Sequence, residues 1–171
     1  MLKICTKLNQ LSFSGLMDVY EEGNLENARD LWPDLPEGQQ LAMAEQEFYS
    51  YLWQVFFPVE GAVYALWEVS GKYVSALRLE PYEDGLLLEA LETAPGERRK
   101  GYARDLILAV QEEYPGRKIY SHVGKRNVPS LAVHKGCGFC KILDHAVYID
   151  GSVNDRCCTL LYWKKKPPYQ A

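Results

Sequence analysis

The stretch from Leu86 to Val123 constrains the fold more than any other part of the chain. Leu86 to Thr93 is a β-rich run, and Pro95 and Gly96 break it. Tyr102 to Tyr114 then carries apolar residues at Leu106, Ile107, Ala109 and Val110, the spacing of one helical face. Pro115 and Gly116 end that pattern, and Ile119 to Val123 is a second short strand. Strand, helix and strand within about 38 residues predict a right-handed crossover between two parallel strands. A chain containing such a unit folds as layered α/β structure.

The flanks add further elements. Lys3 to Asn9 reads as a first strand, and Phe13, Leu16, Met17 and Tyr20 mark a helix face from Phe13 to Tyr20. After a turn-rich stretch from Trp32 to Gly38, the spacing of Leu41, Ala44, Phe48, Tyr51, Leu52 and Val55 predicts a long amphipathic helix from Gln40 to Phe57, stopped by Pro58. Ala62 to Val69 and Tyr73 to Leu79 form a hairpin around a three-residue loop, Ser70 Gly71 Lys72. A short helix is expected from Pro129 to Lys135. Lys141 to Ile149 and Arg156 to Trp163 are expected to close the fold as an antiparallel pair around Asp150 Gly151 Ser152. The tail, Lys164 Lys165 Lys166 Pro167 Pro168, reads as a solvated end. No repeat or low-complexity segment interrupts this order.

With 171 residues and 47% hydrophobic content, the chain is expected to form one domain spanning residues 1–171. Its 19 Lys and Arg against 23 Asp and Glu leave a net charge of −4, which argues against a nucleic-acid partner, since duplex binders carry a basic footprint. The longest apolar run, Ala62 to Trp67, falls far below the roughly 20 residues needed to span a bilayer, and the first residues hold no apolar segment of signal length. A cytoplasmic location without membrane association is the expectation. In that compartment the five cysteines are read as free thiols. Cys137 and Cys140 form a Cys-x-x-Cys, but with Cys157, Cys158, His134 and His145 the spacing matches no ribbon, knuckle or finger, so no metal is expected.

The chemistry concentrates at Arg98 Arg99 Lys100 Gly101 Tyr102 Ala103, between a strand and the first turn of a helix. Amides at a helix start lack acceptors and carry the positive end of the macrodipole, so they suit a phosphate or pyrophosphate. A basic turn facing solvent would read the same way. The second motif runs from Asn127 to Phe139 and resembles, with the first, the GCN5-related N-acetyltransferase (GNAT) superfamily. The acetyl-CoA signature of that family (Arg or Gln, two residues, Gly, one residue, Gly or Ala) stands here as Arg98, Gly101 and Ala103. Its later signature stands as Asn127, Ser130, Gly138 and Phe139.

The resemblance covers residues 86–162 and implies a GNAT fold of the α/β (α+β) class. That fold has a mixed, mostly antiparallel twisted sheet of about six to seven strands flanked by about four helices, with a splayed parallel strand pair. It implies that acetyl-CoA is the cosubstrate, its pantetheine arm on the backbone of Leu91 to Thr93. Amides of Arg99, Lys100, Gly101, Tyr102 and Ala103 would hold the pyrophosphate with Arg98, and Asn127 and Ser130 would meet the arm. Residues 1–60 would supply the acceptor-side helices.

The implied reaction is direct acetyl transfer to a primary amine. An alkylamine of pKa about 10.4 is almost wholly protonated at pH 7, so a base is needed. Glu89 and Glu92 are the candidates. Three residues apart on a regular strand, they are expected on opposite faces, and Glu89 among leucines is preferred. The family's usual acid, a Tyr seven residues after the Asn, is replaced by His134, whose imidazolium a helix C-terminus would favour; capping the helix or packing on Phe139 explains it equally well. His122 and water are the alternatives. The aromatic run from Tyr49 to Tyr73 reads as core before it reads as an acceptor pocket. Without its Tyr, the chain could also be a non-catalytic acyl-CoA-binding or regulatory module. The acceptor, a small amine or a peptide amine, is not specified, and a homodimer stays open.

Overall fold

A computed structural model describes residues 1–164; Lys165, Lys166, Pro167 and Pro168 of the basic tail lie outside the described residues. The strands are β1 (Leu2–Cys5), β2 (Val63–Val69), β3 (Lys72–Tyr82), β4 (Gly85–Thr93), β5 (Ile119–Gly124), β6 (Cys140–Leu143), β7 (Ala146–Val147), β8 (Val153–Asn154) and β9 (Cys157–Tyr162). The helices are α1 (Phe13–Leu31), α2 (Glu37–Tyr51), α3 (Tyr102–Glu113) and α4 (Val128–Gly136). Seven strands form one sheet in the order β1-β2-β3-β4-β5-β9-β6, and β7 and β8 form a separate small hairpin. Every neighbouring pair in the main sheet is antiparallel except β4 and β5, the mixed arrangement expected.

The sheet divides two cores. On one face, Val63, Ala65, Leu77, Leu79, Leu86 and Leu88 pack with Leu106, Ile107 and Val110 of α3 and with Phe139. On the other, Tyr64, Leu66 and Ala76 pack with Leu16, Met17, Val19 and Tyr20 of α1 and with Leu52 and Phe56. Alternation along β2 and β3 sends successive side chains to opposite layers, so both faces are apolar and both are covered.

Several boundaries differ from the sequence reading for physical reasons. Ser12 caps α1 by accepting from the Gly15 amide at 3.2 Å, and the helix runs on to Leu31, well past the predicted Tyr20; apart from the buried Ala28 its later turns are mostly polar and exposed, so no apolar face marks them in the sequence. The helix predicted from Gln40 to Phe57 is α2 followed by a π-helical turn, Leu52–Phe56, closed by the Phe57 amide on the Leu52 carbonyl at 3.0 Å. The β2–β3 turn holds two residues, since Lys72 already pairs with Val69. The predicted strand Lys141 to Ile149 is broken: β6 pairs with β9, and Asp144 accepts from Lys125 and Lys141 at 3.1 Å each where the chain leaves the sheet. Only β7 and β8 form the hairpin around Asp150.

Candidate active site

β4 and β5 pair for three residues only, Leu86 to Leu88 against Ile119 to Ser121, and then part. Beyond Leu88 the β5-facing edge of β4 has no strand partner. Side chains from both strands line the resulting cleft of about 180 Å³: Leu88, Glu89, Ala90 and Leu91 from β4, Ser121, His122 and Val123 from β5, with Asn127, Ser130 and His134 behind them. A second hollow of about 360 Å³ shares Leu91, Asn127 and Ser130 and continues past Thr93, Arg98 and Ala103 to the start of α3. The two form one channel from the α3 N-terminus into a gap in the sheet.

A β-bulge shapes its β4 wall. Arg78 opposes Glu89 and Ala76 opposes Glu92, so Ala90 and Leu91 together face Leu77. Ala90 takes φ = 50° and its carbonyl accepts from Tyr20 Oη at 2.6 Å. The extra residue reverses the parity expected of a regular strand. Glu89 and Glu92 therefore share the face of Arg78 and Ala76, towards α1 and α2, which corrects the opposite-face expectation. Burial raises the pKa of both carboxyls. Nearby Arg78 offsets this for Glu89; Arg98 does so for Glu92, where Glu22 acts in the opposite sense. Glu80, buried on the same face, is raised by burial and by Glu89. The Arg78 guanidinium lies 4.9 Å from the Tyr51 ring centroid and 5.6 Å from that of Phe56, so the end of α2 and the π-helical turn cover the cation on the face that carries Glu80 and Glu89.

At the other end, Gly101 caps α3 with φ = 89°, a left-handed conformation that favours glycine. Asp105 N reaches Gly101 O at 3.0 Å, which leaves the amides of Tyr102, Ala103 and Arg104 without a helical acceptor. Two of the three basic side chains of this turn are engaged elsewhere. Arg98 pairs with Glu22 of α1, lies 4.0 Å from Glu92, and its Nε donates to Thr93 O at 3.3 Å. Lys100 pairs with Glu97 at 2.7 Å, and Arg99 is exposed with φ = 63°. Thr93 Oγ1 lies 3.2 Å from Ser75 Oγ.

Asn127 caps α4, its Oδ1 accepting from Ser130 N at 3.1 Å. His134 is 1% exposed. Its Nδ1–H donates to Ser130 O at 2.8 Å, which leaves Nε2 to accept from Ser121 Oγ at 3.0 Å, and its ring meets Phe139 edge-on at 5.1 Å. This corrects the expectation of a dipole-favoured imidazolium: burial lowers the His134 pKa, and the Ser130 carbonyl only partly opposes it. A neutral buried His that must charge below its unfolded pKa of about 6.5 destabilises the fold as pH falls. Stability is expected to drop between pH 7.5 and 5.5, by at most about 1.4 kcal/mol per pH unit from this residue. Urea unfolding of His134→Gln at the two pH values should show a smaller drop than the parent protein.

The sequence offered no signal for the bulge, nor for Arg78, Glu80 and Tyr148 around the cleft. Cys137 and Cys140 do not converge: Cys137 is buried and Cys140 is exposed. No helix among the described residues is long and apolar enough to cross a membrane.

Solved structures share this architecture. PH1933 of Pyrococcus horikoshii OT3 superimposes with a TM-score of 0.63 at 17% identity, covering 97% of this chain and 100% of its own. The PaiA N-acetyltransferase of Thermoplasma acidophilum, in complex with coenzyme A, gives 0.62 at 10% identity, covering 96% and 99%. The ribosomal-protein-S18-alanine N-acetyltransferase of Escherichia coli gives 0.59 at 14%, covering 100% and 99%. At these identities the likeness concerns the fold. No curated protein sequence gives a significant match. Residues 25–139, which include the splayed strands and both signatures, match the profile of the acetyltransferase (GNAT) family, and to that family the chain belongs.

Proposed function

We propose that this protein transfers the acetyl group of acetyl-CoA directly to a primary amine. The observation that carries the reading is the channel that starts at the uncapped amides of α3 and ends where β4 and β5 part, opening the sheet beside Glu89. Its chemistry fits an acyl-CoA. Free helix-start amides suit a pyrophosphate, and an unpaired strand edge from Leu91 to Thr93 suits the amides of a pantetheine arm. The Thermoplasma relative of the same fold carries coenzyme A, which supports the assignment.

In this reading, the amides from Arg99 to Ala103 bind the pyrophosphate. Arg98 joins them by exchanging Glu22 for the anion. Asn127 and Ser130 flank the arm where the two hollows meet. Bound acetyl-CoA supplies an acyl carbon activated by its thioester. Glu89, half-buried and with its pKa raised by burial against the opposing pull of Arg78, accepts a proton from the incoming ammonium, directly or through water, on the α1–α2 face. His134, neutral and satisfied at both nitrogens, orients Ser121 and the first turn of α4 rather than donating a proton.

The test is CoA release from acetyl-CoA over a panel of primary amines, with affinity measured in parallel by calorimetry. Gly101→Val should weaken acetyl-CoA at least tenfold, because a β-branched residue is strained at φ = 89° and the turn that presents the amides to the phosphates must then shift. Arg98→Ala should cost about tenfold, the worth of one charge-assisted hydrogen bond. Unchanged affinity in both folded variants would falsify the site. Tight CoA binding without CoA release over the whole panel would identify a binding module instead.

A further inference from the structure

His122 has a feature that the proposed roles of Glu89 and His134 do not use. Both of its ring nitrogens are buried and neither has a hydrogen-bond partner in the protein. A buried imidazole normally satisfies at least one nitrogen, and His134, twelve residues away, satisfies both. The orphaned ring is held by packing alone. Tyr82 and Tyr148 meet it edge-on, each with its centroid 5.4 Å away. It stands on β5 in the cleft, next to Tyr120, which pairs with Leu87. The alternation of β5 places it on the same sheet face as Glu89, across the gap where the strands part.

We infer that His122 is a catalytic residue, whose free nitrogen takes the proton that the acceptor amine loses as it is acylated and returns that proton to the sulfur of CoA. The inference rests on the acetyl-transfer reading above and extends it. The reaction consumes an alkylammonium ion and acetyl-CoA and yields an N-alkylacetamide, CoA thiol and one proton. A C–N bond forms, a C–S bond breaks, and nothing is oxidised or reduced. The ammonium therefore sheds two protons. Glu89 passes the first to solvent. The second leaves nitrogen as the C–N bond forms, resides on His122, and ends on the departing sulfur.

The surroundings of His122 suit that shuttle. Arg78, Glu80 and Tyr82 from β3, Glu89 from β4, Tyr148 from the β7–β8 turn, and Cys157 and Thr159 from β9 are polar groups on the elements around it. No charged partner shifts it; burial alone lowers its pKa. The ring is thus neutral near pH 7 and ready to accept a proton. Once protonated, it gives that proton up readily to a thiolate of pKa about 8.5. Tyr148 Oη accepts from Asn154 Nδ2 at 2.8 Å, and Tyr82 Oη donates to Val147 O at 2.6 Å. Both tyrosines are thereby fixed as walls, leaving the ring nitrogens for a ligand.

The experiment compares the parent protein with His122→Gln and His122→Ala, each checked by its melting curve. The amine panel includes butylamine, and the binding probe is CoA joined through an S-carboxymethyl amide to butylamine. Both variants should bind CoA within twofold of the parent, lose about 100-fold in kcat/KM, and bind the conjugate at least tenfold more weakly. The parent rate should fall on the acid side in step with the imidazole titration of His122 followed by NMR, below the pH of an ordinary histidine. His122→Gln should lack that limb. Unchanged conjugate affinity together with an unchanged acid limb in a folded, CoA-binding variant overturns the role of His122 and leaves acetyl transfer standing. A parent that binds CoA yet acetylates no amine overturns both.

Discussion

Glu89→Gln is expected to slow acetyl transfer about 100-fold or more while acetyl-CoA affinity changes by less than about twofold. The two quantities separate because Glu89 faces α1 and α2, whereas the uncapped amides lie at the far end of the channel. Glutamine keeps the shape and one acceptor oxygen but cannot take a proton. The substitution also leaves Arg78 with one carboxylate fewer. That cation still lies against Tyr51 and Phe56 and still has Glu80 nearby, so the variant should fold. Glu92→Gln should cost less, since Glu92 is committed to Arg98 at the channel entrance. Steady-state rates with calorimetric affinities check both. Equal, small losses in the two variants would mean that solvent serves as the base.

Gly85→Ala should be the most damaging single methyl on the cofactor side. A Cβ there would lie 2.3 Å from the Lys118 carbonyl oxygen and 2.8 Å from Lys118 Cβ. That carbonyl accepts from Leu86 N at 3.0 Å and starts the one parallel pairing among the described strands. Backbone cannot yield as a flexible side chain would, so β4 and β5 must separate. Overpacking of this kind costs about 3 kcal/mol, which lowers the melting temperature by roughly 6 to 12 °C in a chain of this size. The three-residue contact also sets where the strands diverge, so acetyl-CoA affinity should fall with stability. A Gly85→Ala protein with the parent's melting temperature and affinity would show that the pair has room to slide.

These sites differ in how far the sequence discloses them. The crossover from β4 through α3 to β5 was legible because Pro95, Gly96, Pro115 and Gly116 punctuate it and because the apolar period changes between them. The short helix was legible too: expected from Pro129 to Lys135, it spans Val128–Gly136, and Phe139 N reaches back to His134 O at 3.1 Å. The bulge was not, since Ala90 has no residue-level signature of a left-handed backbone, and the facing of Glu89 against Glu92 was misjudged with it. The state of His134 was misjudged for a different reason. A dipole argument uses position along a helix, which sequence supplies. Desolvation depends on what lies over the ring, and Ser121 and Phe139 come to it from separate elements.

The sheet that separates the two cores is also a partition between two tasks. In the proposed reaction the layer of α3 and α4 holds the acyl donor, which does not change from one acceptor to the next, and the layer of α1 and α2 meets the acceptor, which does. The gap beyond Leu88 joins them. On that reading, residues of the α1–α2 layer other than Glu22, which pairs with Arg98, can be exchanged to retune which amine is accepted while the contacts to the acyl donor stay in place. A library confined to the exposed and cleft-facing positions of that layer would sample new acceptors from a scaffold that keeps its donor.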